Sequence, residues 1–156
     1  MTIIGRVNHL ASTHLAGRAR AFSRFHQRRK AQGKGKLLDR FFGAPTFLLT
    51  VRGRKSGELR SVPLMLTRRG DDIVVCGSNG GSAKPPPWYL NLRDAGKAAV
   101  NVDGAQWEVT ARNAEGAERD ECWKLLNQTY PHFATYQKLT ERVLPVVVLE
   151  RVPVQH

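Results

Sequence analysis

Short apolar runs, each closed by a glycine, proline or aspartate turn, fill the chain from residue 46 to residue 152. Runs of this length suit β-strands, and most of the breaks between them are too short for crossover helices. Residues 46–52 (TFLLTVR) predict a strand, 54–57 a turn, and 59–67 (LRSVPLMLT) the returning strand. Pro63 has no backbone donor, so that strand belongs at an edge or carries a bulge. Gly70, Asp71 and Asp72 turn the chain into IVVCG at 73–77. Asp103 and Gly104 join two further runs, 97–102 and 106–112, and form a strong hairpin signal. Residues 145–152 supply the last strand. Residues 88–92 read as a short helix after three prolines, and 115–129 and 132–142 as further helical pieces. The pattern predicts an α+β, mainly β fold, a small antiparallel barrel of five or six strands with helical decoration.

A chain of 156 residues suits one domain. Hydrophobic residues at 41% and charged residues at 24% exclude wholesale disorder. No stretch reaches the roughly 20 apolar residues of a membrane span, and the start does not read as a secretory signal. Cys76 and Cys122 match no metal or redox spacing and read as free thiols of a reducing cytoplasm.

Charge divides the chain. Residues 1–36 hold nine Lys or Arg and no acid, whereas 37–156 hold sixteen against thirteen acids. The net charge of +12 therefore belongs mainly to an N-terminal arm, read as helical, and the domain at 37–156 is only mildly basic. In the arm, Leu10, Leu15, Phe22 and Phe25 give a loose apolar stripe beside Arg18, Arg20, Arg24, Arg28, Arg29 and Lys30. Such a helix suits an anionic membrane surface, where each cation contributes about 1 kcal/mol. A solvated, partly docked arm is the plainer reading. Nucleic acid is the weakest, because two phenylalanines make a poor stacking platform.

Several chemistries are excluded by pattern. There is no GxxxxGK[ST] loop, GxGxxG fingerprint or GxSxG elbow. Three histidines lie in the arm, His132 stands alone and His156 is terminal, so no metal-ligand spacing exists. Three polar or aromatic features remain. Arg52, Arg54, Lys55, Ser56 and Arg60 surround two glycines, and a phosphate or carboxylate would find charge-assisted donors there. An ordinary exposed turn explains the same residues. Ser78-Asn79-Gly80-Gly81 follows a buried-looking strand and either faces a ligand or merely connects, with Trp88, Tyr89 and Asn91 ten residues on. Tyr130, Phe133 and Tyr136 are spaced by three, which suits either a pocket wall or a core stripe.

Taken in order, TVRGRKSGELRSVPL (50–64), GSNGGSAKPPPWYLNLR (77–93), WEVTAR (107–112) and YPHFATYQKLTERVLPVVVLE (130–150) resemble the deazaflavin-dependent nitroreductase family of actinobacteria. The resemblance covers most of residues 44–150. It implies a split β-barrel close to that of FMN-binding flavin reductases, and coenzyme F-420, an 8-hydroxy-5-deazaflavin, as cofactor. By resemblance, Arg54, Lys55, Ser56 and Arg60 hold the coenzyme's phosphate and acidic tail. Pro63 and Met65 lie beside the ring, Cys76, Ser78 and Asn79 near the deazaflavin, and Pro87, Trp88 and Asn91 cover the cofactor. Tyr130, Phe133 and Tyr136 form the substrate side with Met65 and Ser78. Nitroreductase-type members carry Tyr at the positions of Met65 and Phe133 and Lys at that of Asn79. The resemblance thus implies cofactor use more firmly than reduction of any given nitro compound.

The implied reaction is hydride transfer from carbon 5 of the reduced deazaflavin to a flat apolar acceptor such as a quinone, enone or nitroaromatic. The protein supplies binding, orientation and electrostatics, with the reacting atoms about 3–3.5 Å apart. The Ser78 hydroxyl is the first candidate to hydrogen-bond the acceptor oxygen, with Tyr130 and Tyr136 as further catalytic candidates. The basic arm suggests a membrane-borne acceptor and a cytoplasmic protein peripheral to the cell membrane. The alternatives are an FMN-dependent reductase or oxidase on the same barrel, and a non-enzymatic basic module for lipid or nucleic acid.

Overall fold

A computed structural model describes residue 39 and residues 43–154 of the chain. The basic arm expected at 1–36 lies outside the described residues. Seven strands form one sheet: β1 (Thr46–Arg52), β2 (Leu59–Met65), β3 (Thr67–Arg69), β4 (Asp72–Cys76), β5 (Lys97–Val102), β6 (Ala105–Asn113) and β7 (Val146–Arg151). Their order is β2-β1-β5-β6-β7-β4-β3, and every pairing is antiparallel. The two edges, β2 and β3, are separated in sequence by Leu66 alone. A sheet whose opposite edges are one residue apart must curl on itself. The result is a split barrel, with Leu66 anchored by its N–H to the Pro45 carbonyl at 2.8 Å.

The seventh strand comes from a break in the run expected at 59–67. Up to Met65 the chain pairs with β1, and from Thr67 it pairs with β4 instead. Pro63 lies opposite Leu48 in β2, an edge strand, where a missing N–H costs no ladder bond. The hairpin at Asp103 and Gly104 is formed, with both residues at positive φ.

Side-chain alternation builds two cores. In β4, Ile73 and Val75 face the barrel interior, and Val74 and Cys76 face the other way. In β7, Val147 and Leu149 face the interior, and Val146 and Val148 face outward. Three helices serve these faces: α1 (Pro87–Ala95), α2 (Gly116–Thr129) and α3 (His132–Lys138). The first sends Tyr89 and Leu92 into the barrel core. It starts with Pro87 in the first turn, where the missing donor is harmless, and ends at Gly96 with φ +70°. The second and third supply Cys122, Leu126 and Phe133 to the outer core. The helical piece expected at 132–142 stops at Lys138, and residues 139–145 cross back toward β7 as irregular chain.

Charge fixes α2 to the sheet. Glu118 receives Arg69 at 3.0 Å and also pairs with Arg112, which reaches Glu150 on β7. The two guanidiniums hold the Glu118 carboxyl well down, at about 2, mainly through the Arg112 hydrogen bonds.

Candidate active site

The cationic turn between β1 and β2 is a closed loop. The N–H of Gly53 donates to the Glu58 carbonyl at 2.7 Å, and that of Gly57 to the Gly53 carbonyl at 2.9 Å. A Cβ at Gly53 would meet Ser56 Oγ at 3.0 Å and Arg60 Nε at 3.1 Å, so a larger residue there would have to push these two groups aside by a few tenths of an ångström. Gly57 has φ +74°. The turn is tied to α1 by one buried amide. Asn91 Oδ1 accepts from the Arg54 backbone N–H at 3.1 Å and from its guanidinium at 2.8 Å. The rest of the Arg54 side chain and those of Lys55 and Ser56 stand exposed, and Arg60 is half-buried.

The loop after β4 makes the opposite bank. Gly77 sits so close to Pro145 that a Cβ would lie 2.6 Å from its ring. A single 3-10 turn follows at Asn79–Gly81. Gly81 has φ +82°, and a Cβ there would lie 2.7 Å from the Tyr136 carbonyl, so the turn rests directly on α3. Asn79 is a non-glycine residue at φ +45° and donates its amide to the Lys84 carbonyl at 3.0 Å. Arg142, on the irregular chain after α3, donates to four carbonyls of this loop. Nε reaches Ser82 at 2.7 Å, one terminal nitrogen reaches Gly77 at 3.2 Å, and the other reaches Ser78 at 2.8 Å and Lys84 at 3.4 Å. The Cys76 thiol at the end of β4 is pushed up to about 12 by burial, against the opposing pull of Arg119 and Arg142. It is a neutral wall at physiological pH, not a nucleophile.

The third wall is aromatic. The hydroxyls of Tyr130 and Tyr136 are 3.0 Å apart, and the Tyr130 ring meets Phe133 edge-on at 5.1 Å. Burial first, then the bond to Tyr136, pushes the Tyr130 phenol up to about 12, so it stays protonated. Asn127 Oδ1 accepts the Ala134 N–H at 2.8 Å and fixes the start of α3 against α2.

These walls enclose one cavity of about 740 Å³. Arg54, Lys55, Ser56 and Arg60 line it, as do Pro63 and Met65, Cys76, Ser78 and Asn79, Pro87, Trp88 and Asn91, and Tyr130, Phe133 and Tyr136. Every residue that the resemblance placed at the site therefore borders the same space, whereas Arg52 and Tyr89, also singled out from sequence, do not. Trp88 is half-buried on its wall, whereas its neighbour Tyr89 fills the core. Sequence reasoning missed Ser61, Leu64 and Leu126, which also line the cavity. Ser61 had a signal only in pairing: it lies opposite Thr50, and their hydroxyls bond at 2.7 Å inside the sheet. Arg142 was legible as part of a motif but not as a clamp, because its partners are backbone carbonyls about 60 residues away.

A family model described as F420H(2)-dependent quinone reductase matches residues 21–151. The chain belongs to the F420H(2)-dependent quinone reductase family. An F420H(2)-dependent quinone reductase of Mycobacterium tuberculosis is 33% identical over 121 residues, 75% of this chain and 81% of the relative. A solved F420-H2 dependent reductase, FDR-A, is 38% identical, with a TM-score of 0.64 over 68% of this chain and 94% of that one. A second structure, described as a domain-swapped dimer, is 38% identical, with a TM-score of 0.65 over 68% of this chain and 80% of that one.

As a member of this family the chain is a deazaflavin-dependent oxidoreductase, and the walls fit that cofactor. The volume suits a cofactor site. The lining offers cations and a hydroxyl for a phosphodiester and glutamate tail, and apolar and aromatic surface for a tricyclic ring. The three departures from the nitroreductase pattern all fall on this cavity. Met65 and Phe133 bring no hydroxyl to it, and Asn79 brings no charge.

Proposed function

We propose that this pocket binds reduced coenzyme F-420 with its tail at the cationic turn and reduces a quinone at the aromatic end. The observation that carries the reading is the division of a single cavity into a cationic rim and an aromatic wall. When bound, the coenzyme supplies a hydride from carbon 5 of its ring. Arg54, Lys55, Ser56 and Arg60 hold the tail's anionic oxygens, and Asn91 keeps Arg54 aimed at them. Pro63, Met65 and Cys76 would pack along the ring, Asn79 would border it, and Pro87 and Trp88 would cover it. Tyr130, Phe133 and Tyr136 stack or edge against the flat acceptor.

As charge grows on the acceptor oxygen, the Ser78 hydroxyl donates a hydrogen bond to it. Tyr130, protonated and joined to Tyr136, is a further proton donor on the pocket wall. The hydride and one proton convert quinone to hydroquinone, and solvent replaces the proton. Cys76 takes no chemical part, because burial keeps its thiol neutral.

The acceptor is membrane-borne in this reading, and residues 1–36 bring a cytoplasmic protein to an anionic inner surface. Support comes from the nine cations of that arm, and from Leu139 and Val143, both about two-thirds exposed around Arg142. Among the described residues, no helix is long and apolar enough to cross a membrane. Binding to vesicles with phosphatidylglycerol is expected to fall sharply when Arg18, Arg20, Arg24, Arg28 and Arg29 become Gln. Undiminished binding removes the membrane part of the reading.

The enzymatic part is tested by anaerobic turnover with a short-tailed naphthoquinone, following loss of reduced coenzyme. One equivalent should be oxidised per quinone reduced. Turnover that requires added FMN instead would favour the flavin alternative.

A further inference from the structure

Arg142 has a wide reach for a residue that does not line the pocket. Its guanidinium gathers the carbonyls of Gly77, Ser78, Ser82 and Lys84. The residue is half-buried, and no carboxylate forms an ion pair with it among the described residues. The loop it gathers carries Ser78 at its start and leads into Pro86, Pro87 and Trp88 at its end, all on the pocket wall. Glycine-rich and proline-rich chain of this kind has no regular ladder to fix it. Four bonds from one planar, permanently charged fork supply that constraint. The charge is also felt in the pocket, since it acts on the Cys76 thiol on its wall.

We propose that Arg142 is a positioning residue for quinone reduction: it holds the loop after β4 so that the Ser78 hydroxyl is fixed at the acceptor end of the pocket. This rests on the reading of Ser78 given above. The clamp works through geometry that lysine cannot reproduce, because one ammonium cannot present a planar fork to carbonyls spread over eight residues. A mobile Ser78 still allows the coenzyme to bind at the cationic turn, which is held by Asn91 and not by Arg142. The cost falls on turnover, because misplacing a donor by about 1 Å can lose on the order of a hundredfold in rate.

The test is a cycle of Ser78→Ala, Arg142→Lys, Arg142→Ala and the double variant, assayed with a soluble naphthoquinone after active sites are counted by coenzyme titration. Arg142→Ala should bind the coenzyme within about threefold of the parent and lose about tenfold or more in kcat. Arg142→Lys should fall between them. The double variant should be no slower than the slower single variant, since both remove one interaction. A merely structural arginine would give additive losses, or a loss of coenzyme binding, and either result overturns the proposal. If Arg142→Ala does not fold, the cycle is run with Arg142→Lys, and additivity there overturns it equally. Loss of rate in Arg142→Ala with a normal rate in Ser78→Ala also overturns it, while leaving the family's cofactor chemistry intact. Absence of quinone turnover by the parent would instead remove the reading beneath it.

Discussion

On the cationic side of the pocket, Arg54 and Lys55 lie in the turn between β1 and β2, and Arg60 follows at the start of β2. On the aromatic side, Tyr130, Phe133 and Tyr136 share the lining with Ser78, and the 3-10 turn that follows Ser78 rests on α3. The cationic end is local: its backbone closes on itself and needs one outside partner, Asn91. The aromatic end is assembled from three stretches of chain and depends on close approach at Gly81 and on the Arg142 clamp. The difference separates two tasks. Exposed flexible cations can hold a charged tail with little backbone precision, whereas a hydride acceptor needs fixed walls. Changes at the two ends should therefore separate coenzyme affinity from turnover.

The largest expected effect tests the cationic end. Changing Arg54, Lys55 and Arg60 together to Gln should weaken coenzyme binding by about a hundredfold or more, since charge-assisted hydrogen bonds are each worth roughly tenfold. Salt should weaken the parent and barely affect the variant. Fluorescence titration at two ionic strengths checks both points, and a matching fall in saturated kcat would break the separation.

Gly81→Ala should come next. It adds a Cβ facing the Tyr136 carbonyl at a residue with φ +82°. The left-handed strain alone costs about 1–2 kcal/mol, so thermal melting should drop by roughly 2–8 °C. The acceptor KM should rise while coenzyme affinity changes little. Steady-state kinetics beside the titration would show whether the two ends move together.

A smaller effect concerns the phenol pair. Tyr130, raised to about 12, should stay protonated across the working range, so the rate should show no basic limb from it below about pH 11. Folding adds its own sign. Between the usual value near 10 and about 12 the folded state holds this proton more tightly than the unfolded one, so the contribution to stability falls as pH rises through that window. Phe133→Tyr should shift the preference between quinone and nitroaromatic acceptors by no more than about tenfold, leaving coenzyme affinity alone.

The smallest effect lies outside both ends. Glu118, lowered to about 2, stabilises the fold above the ordinary carboxylate range, and that contribution is lost as pH falls from about 4.5 through 2. Glu118→Gln should flatten acid unfolding over that interval without altering turnover at neutral pH.

The cationic turn was legible because its residues are contiguous and chemically distinctive. The strands were legible because short apolar runs closed by turn residues, the Asp103-Gly104 turn among them, are local signals. The break at Leu66 was not, since nothing in residues 59–67 marks where one partner strand is exchanged for another. The early stop of α3 at Lys138 was missed for a similar reason: its continuation is drawn away by Gln137, which donates to the Arg142 carbonyl and accepts from Leu144. The aromatic residues were visible as a spacing of three, but that spacing suits a core stripe equally. Only their place on the lining of the cavity that Ser78 also borders distinguishes a pocket wall.

The most direct measurement is a fluorescence titration of the purified chain with oxidised coenzyme F-420, with FMN in parallel. Saturable micromolar binding of the deazaflavin, with FMN much weaker, is the predicted result. Tighter binding of FMN, or binding of neither, would contradict a cationic rim built for a polyanionic tail.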